Sequence, residues 1–121
     1  MESQDYSLYI LTAALLGFFL WRHLKFRTLK GTIPSLLDQG ASIVDVRGVD
    51  EFRRGSSAGS VNIPLGDLQR RISEIDKTKP VILCCASGAR SATAARVLKD
   101  NGYQNVINAG PWTNTVSGRS K

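Results

Sequence analysis

The sequence of 121 residues predicts an α/β protein in which a parallel sheet carries helices on both faces, preceded by one short transmembrane helix. Short apolar runs of strand length alternate with segments of helical pattern, which is typical of a parallel sheet covered on both faces. One of these runs, residues 80–84, breaks abruptly into a loop of small and polar residues, as a buried strand does at its carboxyl end. The uncharged apolar segment 6–21 predicts the membrane helix.

Residues 1–25 are predicted to form an N-terminal membrane anchor. Its apolar segment has roughly 16 residues and reaches about 24 Å as a helix, somewhat less than the ~30 Å hydrocarbon core. Tyr6 and Trp21 suit the two membrane interfaces. Apolar residues all round the helix disfavour a surface helix, and the acidic start and bulky basic flank disfavour a cleaved signal peptide. A buried helix, or one packed on a partner, is the alternative.

Charge predicts how this anchor is oriented. No Lys or Arg precedes the apolar segment, whereas four bases follow it: Arg22, Lys25, Arg27 and Lys30. Because Lys and Arg in short flanks stay on the cytoplasmic side, we expect a single-pass membrane protein whose folded domain faces the cytoplasm. The net charge is +6, but the sequence contains no basic stripe with interleaved aromatic residues. Nucleic acid is therefore not an expected partner.

The folded domain is predicted over residues 32–112, after a basic connector at 26–31. Thr32 can cap a short helix that runs to residue 39, with Pro34 in its first turn and Gly40 as its stop. The other predicted elements follow in order: strand 42–46, helix 49–54, strand 61–63, helix 65–75, strand 80–84, a helix over 91–98 and strand 106–109. Residues 113–121 are polar, and we expect a loose tail there.

The loop after strand 80–84 is the candidate functional site. From Cys85 it reads Cys-Ala-Ser-Gly-Ala-Arg-Ser, and the helix that follows is expected to place Ala92, Ala95 and Leu98 on one face. Such a loop points several backbone N–H groups at one place, and the helix adds the positive end of its dipole. A cysteine there is favoured as thiolate, since helix N-termini and cations lower its pKa from about 8.5 by one to several units.

These residues resemble the active-site loop of the rhodanese family, the sulfurtransferases. Cys85, Ser87, Gly88, Arg90 and Ser91 fall on the positions of that loop, and the likeness extends over roughly residues 30–112. Its other marks occur in the family's order: Val44-Asp45-Val46-Arg47, Glu51-Phe52, Gly59, Asn62-Ile63-Pro64-Leu65, Ala94-Ala95, Leu98, Gly102-Tyr103 and Asn105-Val106.

The resemblance implies a rhodanese-like fold and a thiosulfate sulfurtransferase that needs neither cofactor nor metal. Cys85 would accept a sulfane sulfur, become a persulfide and pass the sulfur to an acceptor, with Arg90 as the second catalytic residue. The implied partners are a small anionic sulfur donor and a thiol or cyanide-like acceptor, with no protein partner identified. The remaining implied site residues are the substrate-binding loop Ala86, Ser87, Gly88, Ala89 and Ser91, and the structural supports Asp45, Arg47 and Glu51. Asp45 and Arg47 resemble the family's strand-end pair, and Arg47 is also expected to pair with Glu51.

Two other functions remain open at this point. Counted from Cys84, the spacing Cys-x5-Arg is that of cysteine-dependent phosphatases, whereas Cys85 gives the Cys-x4-Arg of sulfurtransferases. The glycine three residues after the nucleophile favours Cys85, because Gly88 occupies that position and Ser87 occupies it when counted from Cys84. A non-enzymatic, membrane-tethered rhodanese module for protein interaction or sulfur carriage is the second alternative.

The two cysteines and the single histidine limit the chemistry further. Cys84 is predicted to end the strand and point into the core, away from Cys85, with a resolving or redox role as the alternative. Adjacent cysteines cannot join distant parts of a fold, which fits a reducing compartment. His23 is the only histidine, so neither a Cys–His dyad nor a His-based metal site is expected. Gly55-Ser56-Ser57 replaces a turn that often contains histidine in the family, and Ala109-Gly110-Pro111-Trp112 replaces a longer carboxyl-terminal helix.

Overall fold

A computed structural model describes residues 5–116, except for the side chains of residues 26–31. Helices and strands alternate along the chain after the first helix. They are α1 (Ser7–Asp38), β1 (Ser42–Asp45), α2 (Val49–Arg54), β2 (Val61–Asn62), two short 3-10 helices (Leu65–Asp67 and Ile72–Glu74), β3 (Val81–Cys85), α3 (Ala89–Asp100), β4 (Val106–Pro111) and α4 (Thr113–Val116).

The four strands form one parallel sheet in the order β2-β1-β3-β4. β3 pairs with β1 on one side and with β4 on the other, so it lies in the interior of the sheet. All five of its residues are buried, as their apolar character predicts. In a parallel sheet the carboxyl ends of the strands share one edge, and at that edge Cys85 is the last residue of β3.

Both faces of the sheet are covered, which confirms the predicted α/β architecture. On one face Leu83 and Cys85 pack in a core formed with α3 and the segment of the 3-10 helices. On the other face Ile82 and Cys84 pack against Ile33 of α1. The division follows from the alternation of side chains along a strand.

The N-terminal helix is longer than the sequence predicted. α1 continues from Ser7 to Asp38, so the expectation of a separate helix beginning at Thr32 is wrong, and the backbone of residues 26–31 is helical. Pro34 lies inside the helix, where it removes one backbone hydrogen bond. Burial of Ile33, with Leu36 and Leu37 packed beside it, accompanies this last part of α1 and stabilises it despite the proline.

The predicted helix over residues 65–75 is wrong in its form. Two 3-10 helices and turns occupy this stretch. Leu68 and Ile75 are nevertheless buried and Ile72 is partly buried, so these apolar side chains reach the core without a regular helix. Tyr103 helps hold the second turn, since its hydroxyl donates to the carbonyls of Ile72 and Ile75 at 2.8 and 2.7 Å.

The buried face of α3 also differs from the prediction. Ala92 is exposed, and the buried residues are Ser91, Ala94, Ala95 and Leu98. These four follow the i, i+3, i+4, i+7 pattern of a helix face, starting one residue earlier than expected.

At the carboxyl end, residues 113–116 form α4 with a buried Thr115, not a loose tail, and residues 117–121 lie outside the described part of the chain.

Candidate active site

The candidate site lies at the carboxyl end of β3, beside an irregularity in β4. Leu83 pairs with Asn108 and Cys84 pairs with Gly110, so β4 contains one extra residue at this point. Such bulges often occur next to active sites, where they redirect a side chain. Just beyond the bulge, the Trp112 N–H donates to the Cys85 carbonyl at 2.8 Å. β4 therefore holds the backbone of the predicted nucleophile.

The loop of residues 86–88 wraps around the Cys85 sulfur. The Gly88 N–H donates to Cys85 Sγ at 2.9 Å, and the Ser91 N–H donates to it at 3.4 Å. The Ser91 hydroxyl lies 3.4 Å from the same sulfur. Gly88 has a φ of +103°, in the left-handed region that favours glycine. This conformation turns the chain directly into α3 and leaves Cys85 buried at the floor of the loop.

The loop hydrogen bonds favour the thiolate of Cys85. Burial of Cys85 opposes its ionisation and is the largest single effect on its pKa. The Ser91 hydroxyl and the N–H groups of Ser91, Gly88 and Ser87 together outweigh burial and place the pKa of Cys85 below its ordinary value. A cysteine with a lowered pKa is a better nucleophile at neutral pH.

Cys84 has the opposite environment. It is fully buried on the other face of the sheet, as the alternation along β3 predicted. Burial, with the nearby Asp45 carboxylate, raises the pKa of Cys84 to about 12. The thiol of Cys84 is therefore protonated at neutral pH and packs as a small apolar side chain.

Asn108 is a site residue that the sequence analysis missed. Its Oδ1 accepts the Ser91 hydroxyl at 2.6 Å and the Gly110 N–H at 2.9 Å. Its Nδ2 donates to the Gly88 carbonyl at 3.2 Å. One side chain thus connects the loop, the start of α3 and the bulge. The available signal was an amide residue in the otherwise apolar run 106–109 of the last predicted strand.

Arg90 lies in the first turn of α3 and binds Glu51 of α2 through two hydrogen bonds. Arg90 Nη1 is 2.7 Å from Glu51 Oε1, and Arg90 Nη2 is 2.9 Å from Glu51 Oε2. Arg90, with the Gly48 N–H as the second cause, holds the pKa of Glu51 at about 2. This pair joins the first turns of α2 and α3, and thereby fixes the end of the loop.

The expected pairing of Arg47 with the Glu51 carboxylate is wrong, because Arg90 binds that carboxylate and Arg47 Nη1 donates to the Glu51 backbone carbonyl at 3.4 Å. Arg47 instead binds Asp45, with a shortest distance of 2.7 Å between Arg47 Nη2 and Asp45 Oδ2. Both side chains are buried, which favours a close, multiply hydrogen-bonded pair. Arg47 also donates to the Gly55 carbonyl at 2.7 Å and lies 4.9 Å from the centre of the Trp112 ring. It therefore connects the end of β1, the residue after α2 and the end of β4.

A second unexpected contact comes from α1. The Arg22 guanidinium donates to the carbonyl of Ser87 in the loop. A pocket of about 250 Å³ lies between the two segments. Its lining residues are Phe18, Trp21, Arg22, Lys25, Ser87, Gly88 and Ala89. The sequence predicted no contact between the basic residues that follow the apolar segment and this loop.

The residues of the site form an anion-binding loop around the sulfur of Cys85. Among the described residues, no three His, Cys, Asp or Glu side chains are grouped so that they could hold a metal ion. The chemistry offered by the described residues is that of a thiolate surrounded by N–H donors, which suits a nucleophile that takes up an anionic group.

Comparison with known proteins agrees with this geometry. The family described as Rhodanese-like domain matches residues 31–109, which include the loop, Glu51 and Asn108. The chain belongs to the rhodanese-like domain family. Arg22 and the first part of α1 precede the matched region, so the contact between Arg22 and Ser87 is an addition to this rhodanese-like domain.

Several relatives of this rhodanese-like chain carry names from sulfur metabolism. The putative sulfur carrier protein YrkF of Bacillus subtilis is 34% identical over 84 residues, which cover 69% of this chain and 45% of that protein. The thiosulfate sulfurtransferase PspE of Escherichia coli is 35% identical over 69 residues, which cover 55% of this chain and 66% of that protein. The chain thus spans less than two thirds of each, and the likeness supports sulfur transfer as the general chemistry.

A solved structure shows the same fold. The structure titled "rhodanese with anions from E. coli" is 32% identical and superposes with a TM-score of 0.58. The match covers 61% of this rhodanese-like chain and 89% of the other. The fold likeness therefore spans nearly the whole of that chain.

Proposed function

We propose that the protein is a membrane-anchored sulfurtransferase that carries a sulfane sulfur on Cys85. The observation that carries this proposal is the convergence of the Gly88 and Ser91 N–H groups on Cys85 Sγ, at 2.9 and 3.4 Å. The same donors that favour a thiolate also stabilise the negative charge of a persulfide. The sulfurtransferase names among the relatives support the same reaction class.

The reaction proceeds in two displacements. The Cys85 thiolate attacks the outer sulfur of a donor such as thiosulfate, forming an Sγ–S bond as the S–S bond of the donor breaks. Sulfite leaves with the electron pair, and Cys85 becomes a persulfide anion. A thiophilic acceptor such as cyanide then attacks the outer sulfur and releases the Cys85 thiolate. Each step exchanges one nucleophile for another at sulfur, so no external oxidant or reductant is needed.

The remaining site residues act by holding the loop. Arg90, engaged by Glu51, fixes the start of α3, and its positive charge adds to the field at Cys85. Ser91 donates its N–H to the sulfur, and its hydroxyl, which donates to Asn108 Oδ1, lies 3.4 Å from the same sulfur. Asp45 and Arg47 support the adjoining strand ends. Ala86 and Ser87 are exposed at the rim of the loop, and we assign them to donor binding together with Gly88 and Ala89.

The membrane part of the proposal rests on the surface of α1. Its stretch Ser7–Lys25 is 19 residues long, has a mean hydropathy of 1.4 and is long and apolar enough to cross a membrane. Leu8, Ile10 and Leu16 are 69%, 68% and 66% exposed. Lipid is the environment that suits such a helix, because large exposed apolar surfaces are rare in soluble monomers. The bases at the carboxyl end of this stretch and just beyond it favour a catalytic domain on the cytoplasmic side.

Thiocyanate formation from thiosulfate and cyanide tests the proposed reaction. The purified full-length chain should form thiocyanate, and Cys85→Ser should lose it to the background level. Cys84→Ser is the matched control and should retain most of the activity, because Cys84 packs on the opposite face of the sheet.

The outcomes separate the functions that the sequence left open. Activity that persists in Cys85→Ser and disappears in Cys84→Ser would move the nucleophile to Cys84 and contradict the proposal. A wild-type chain that forms a persulfide but no thiocyanate would instead indicate the non-enzymatic sulfur carrier.

A further inference from the structure

The contact between α1 and the loop involves the peptide group that faces the reactive sulfur. Arg22 donates from its guanidinium to the carbonyl oxygen of Ser87. The N–H of the same peptide group belongs to Gly88, and it donates to Cys85 Sγ at 2.9 Å. The peptide bond is trans, so its C=O and N–H point in opposite directions within one plane. Arg22 and Cys85 therefore bind the two ends of a single dipole.

This arrangement has two physical consequences for the sulfur. First, a cation bound to the carbonyl adds a second fixed point to the Ser87–Gly88 peptide, whose plane Gly88 restrains less than a residue with a side chain would. Second, it withdraws electron density from the peptide, which makes the N–H a stronger donor, as in chains of hydrogen bonds that polarise one another. Both effects favour the charged form of Cys85.

We propose that Arg22 is a positioning residue for sulfur transfer: it clamps the Ser87 carbonyl so that the Gly88 N–H stabilises the thiolate and the persulfide of Cys85. The proposal rests on the proposed function for its reference to the persulfide. It assigns part of the active site to a helix turn outside the rhodanese-like domain, at residue 22, whereas the family match begins at residue 31. Removal of the anchor would accordingly impair the chemistry as well as the localisation.

Other charged groups near the loop must be distinguished from Arg22. Arg90 of α3 interacts electrostatically with Cys85, and Asp45 lies near the neighbouring thiol of Cys84. Lys25 lies one turn from Arg22 on α1 and lines the same pocket. It is placed over the Trp21 ring, with its Nζ 5.0 Å from the ring centre. Lys25→Gln therefore removes a positive charge from the same pocket without removing the guanidinium that binds Ser87.

The direct test is a titration of Cys85 in the full-length chain. The ultraviolet absorbance of the thiolate is followed against pH, and the curve of the same variant carrying Cys85→Ser is subtracted to isolate Cys85. Arg22→Gln and Arg22→Met should both raise the pKa of Cys85, which lowers the thiolate fraction at neutral pH by roughly three- to tenfold, the effect of weakening one hydrogen bond to the sulfur. Arg22→Lys should restore part of the loss, and Lys25→Gln should shift the pKa less than Arg22→Gln does.

Sulfur transfer provides the second readout. The rate constant of persulfide formation at saturating thiosulfate should fall in Arg22→Gln by about the same factor as the thiolate fraction. Lys25→Gln should act mainly on the thiosulfate concentration needed for half-maximal rate, because it alters the field in the pocket and not the peptide.

Three results would overturn the assignment. If Cys85 has the wild-type pKa in both Arg22→Gln and Arg22→Met, the hydrogen bond from Arg22 to Ser87 has no effect on the sulfur. A faster reaction in these variants would make Arg22 part of a cover over the loop. Unfolding of both would make it a residue of stability alone. A wild-type chain that transfers no sulfur while the titration shifts as expected would contradict the proposed function and leave the clamp intact.

Discussion

At the scale of single residues, the surroundings of two identical side chains distinguish the proposed nucleophile from its neighbour. Cys84 and Cys85 are neighbours, and alternation along β3 sends them to opposite faces of the sheet. Cys85 receives the N–H donors of a loop that ends in a helix. Burial, with the nearby Asp45 carboxylate, raises the pKa of Cys84 to about 12. The assignment of the nucleophile therefore follows from position within the strand.

The ion pair of Glu51 with Arg90 makes a prediction about stability against pH. The pKa of Glu51 is lowered in the folded chain from 4.5 to about 2, first by Arg90. A group with a lowered pKa stabilises the fold fully above its unfolded value, and this contribution is lost as pH falls toward the folded value. Stability of the wild-type chain should therefore fall between about pH 5 and pH 2 more steeply than that of Glu51→Gln.

Denaturant unfolding of the full-length chain at several pH values measures this difference. Asp50→Asn is the control, because it removes a carboxylate from the exposed neighbouring position of the same helix turn. It should retain the steep dependence that Glu51→Gln loses. Equal pH slopes for wild type and Glu51→Gln would contradict the role given to this pair.

At the scale of elements, the strands were more predictable than the segments between them. All four strands lie at predicted positions. For the interior strands β1 and β3 the reason is burial, because buried parallel strands need apolar runs. The backbone over residues 65–75 was not predictable from its apolar spacing, since Leu68 and Ile75 are equally well buried by 3-10 turns. The unbroken α1 was missed because Pro34 is typical of a helix start, and packing against the sheet overrides that preference.

The residues of the candidate site also divide into those that could be predicted from the sequence and those that could not. The loop from Cys85 to Ser91 could be identified because its residues are contiguous and of characteristic type. Asn108 and Arg22 could not, because they reach the loop from positions 17 residues after Ser91 and 65 residues before Ser87. Only the register of β4 and the course of α1 bring them there. The predicted pairing of Arg47 with the Glu51 carboxylate was wrong, because Asp45, two residues away, offers a buried carboxylate at closer range.

The turn at Gly88 gives a prediction for the loop as an element. Its φ of +103° is costly for a side-chain-bearing residue. Gly88→Ala should lower the free energy of unfolding by about 1–2 kcal/mol. It should also raise the pKa of Cys85, because any shift of this peptide moves the N–H that lies 2.9 Å from the sulfur.

Gly66→Ala is the matched control for this substitution. A Cβ at Gly66 meets no atom within 4 Å, and its φ is not in the left-handed region. It should change the free energy of unfolding by less than about 0.5 kcal/mol and leave the Cys85 titration unchanged. A Gly88→Ala chain with the stability and the titration of wild type would contradict the described loop geometry.

At the scale of the whole molecule, α1 connects the proposed membrane span to the sulfur loop. Its apolar stretch Ser7–Lys25 ends where Arg22 and Lys25 line the pocket beside the loop. If this stretch lies in lipid, the loop is held close to the membrane surface. The helix end then serves as an anchor, a source of positive charge and a contact with the site.

Alkaline carbonate extraction tests the membrane span. The wild-type chain should remain in the membrane fraction, and Leu15→Arg should be released to a large extent, because an Arg at the centre of a spanning helix costs about 2.5–3.5 kcal/mol. For orientation, Thr93→Cys in a Cys85→Ser chain provides an exposed thiol on α3. An impermeant thiol reagent should label it only after lysis. Release of the wild-type chain, or labelling in intact cells, would contradict the proposed topology.

The central claim, that Cys85 carries the transferred sulfur, is tested most directly by mass spectrometry of the full-length chain after exposure to thiosulfate. Intact mass measures the number of sulfur atoms gained, and fragmentation of the peptide that contains both cysteines locates them. We expect one additional sulfur atom on Cys85 in the wild-type and Cys84→Ser chains and none in Cys85→Ser. Addition of cyanide should remove the sulfur from Cys85. Sulfur found on Cys84, or a wild-type chain that gains none, would contradict the account.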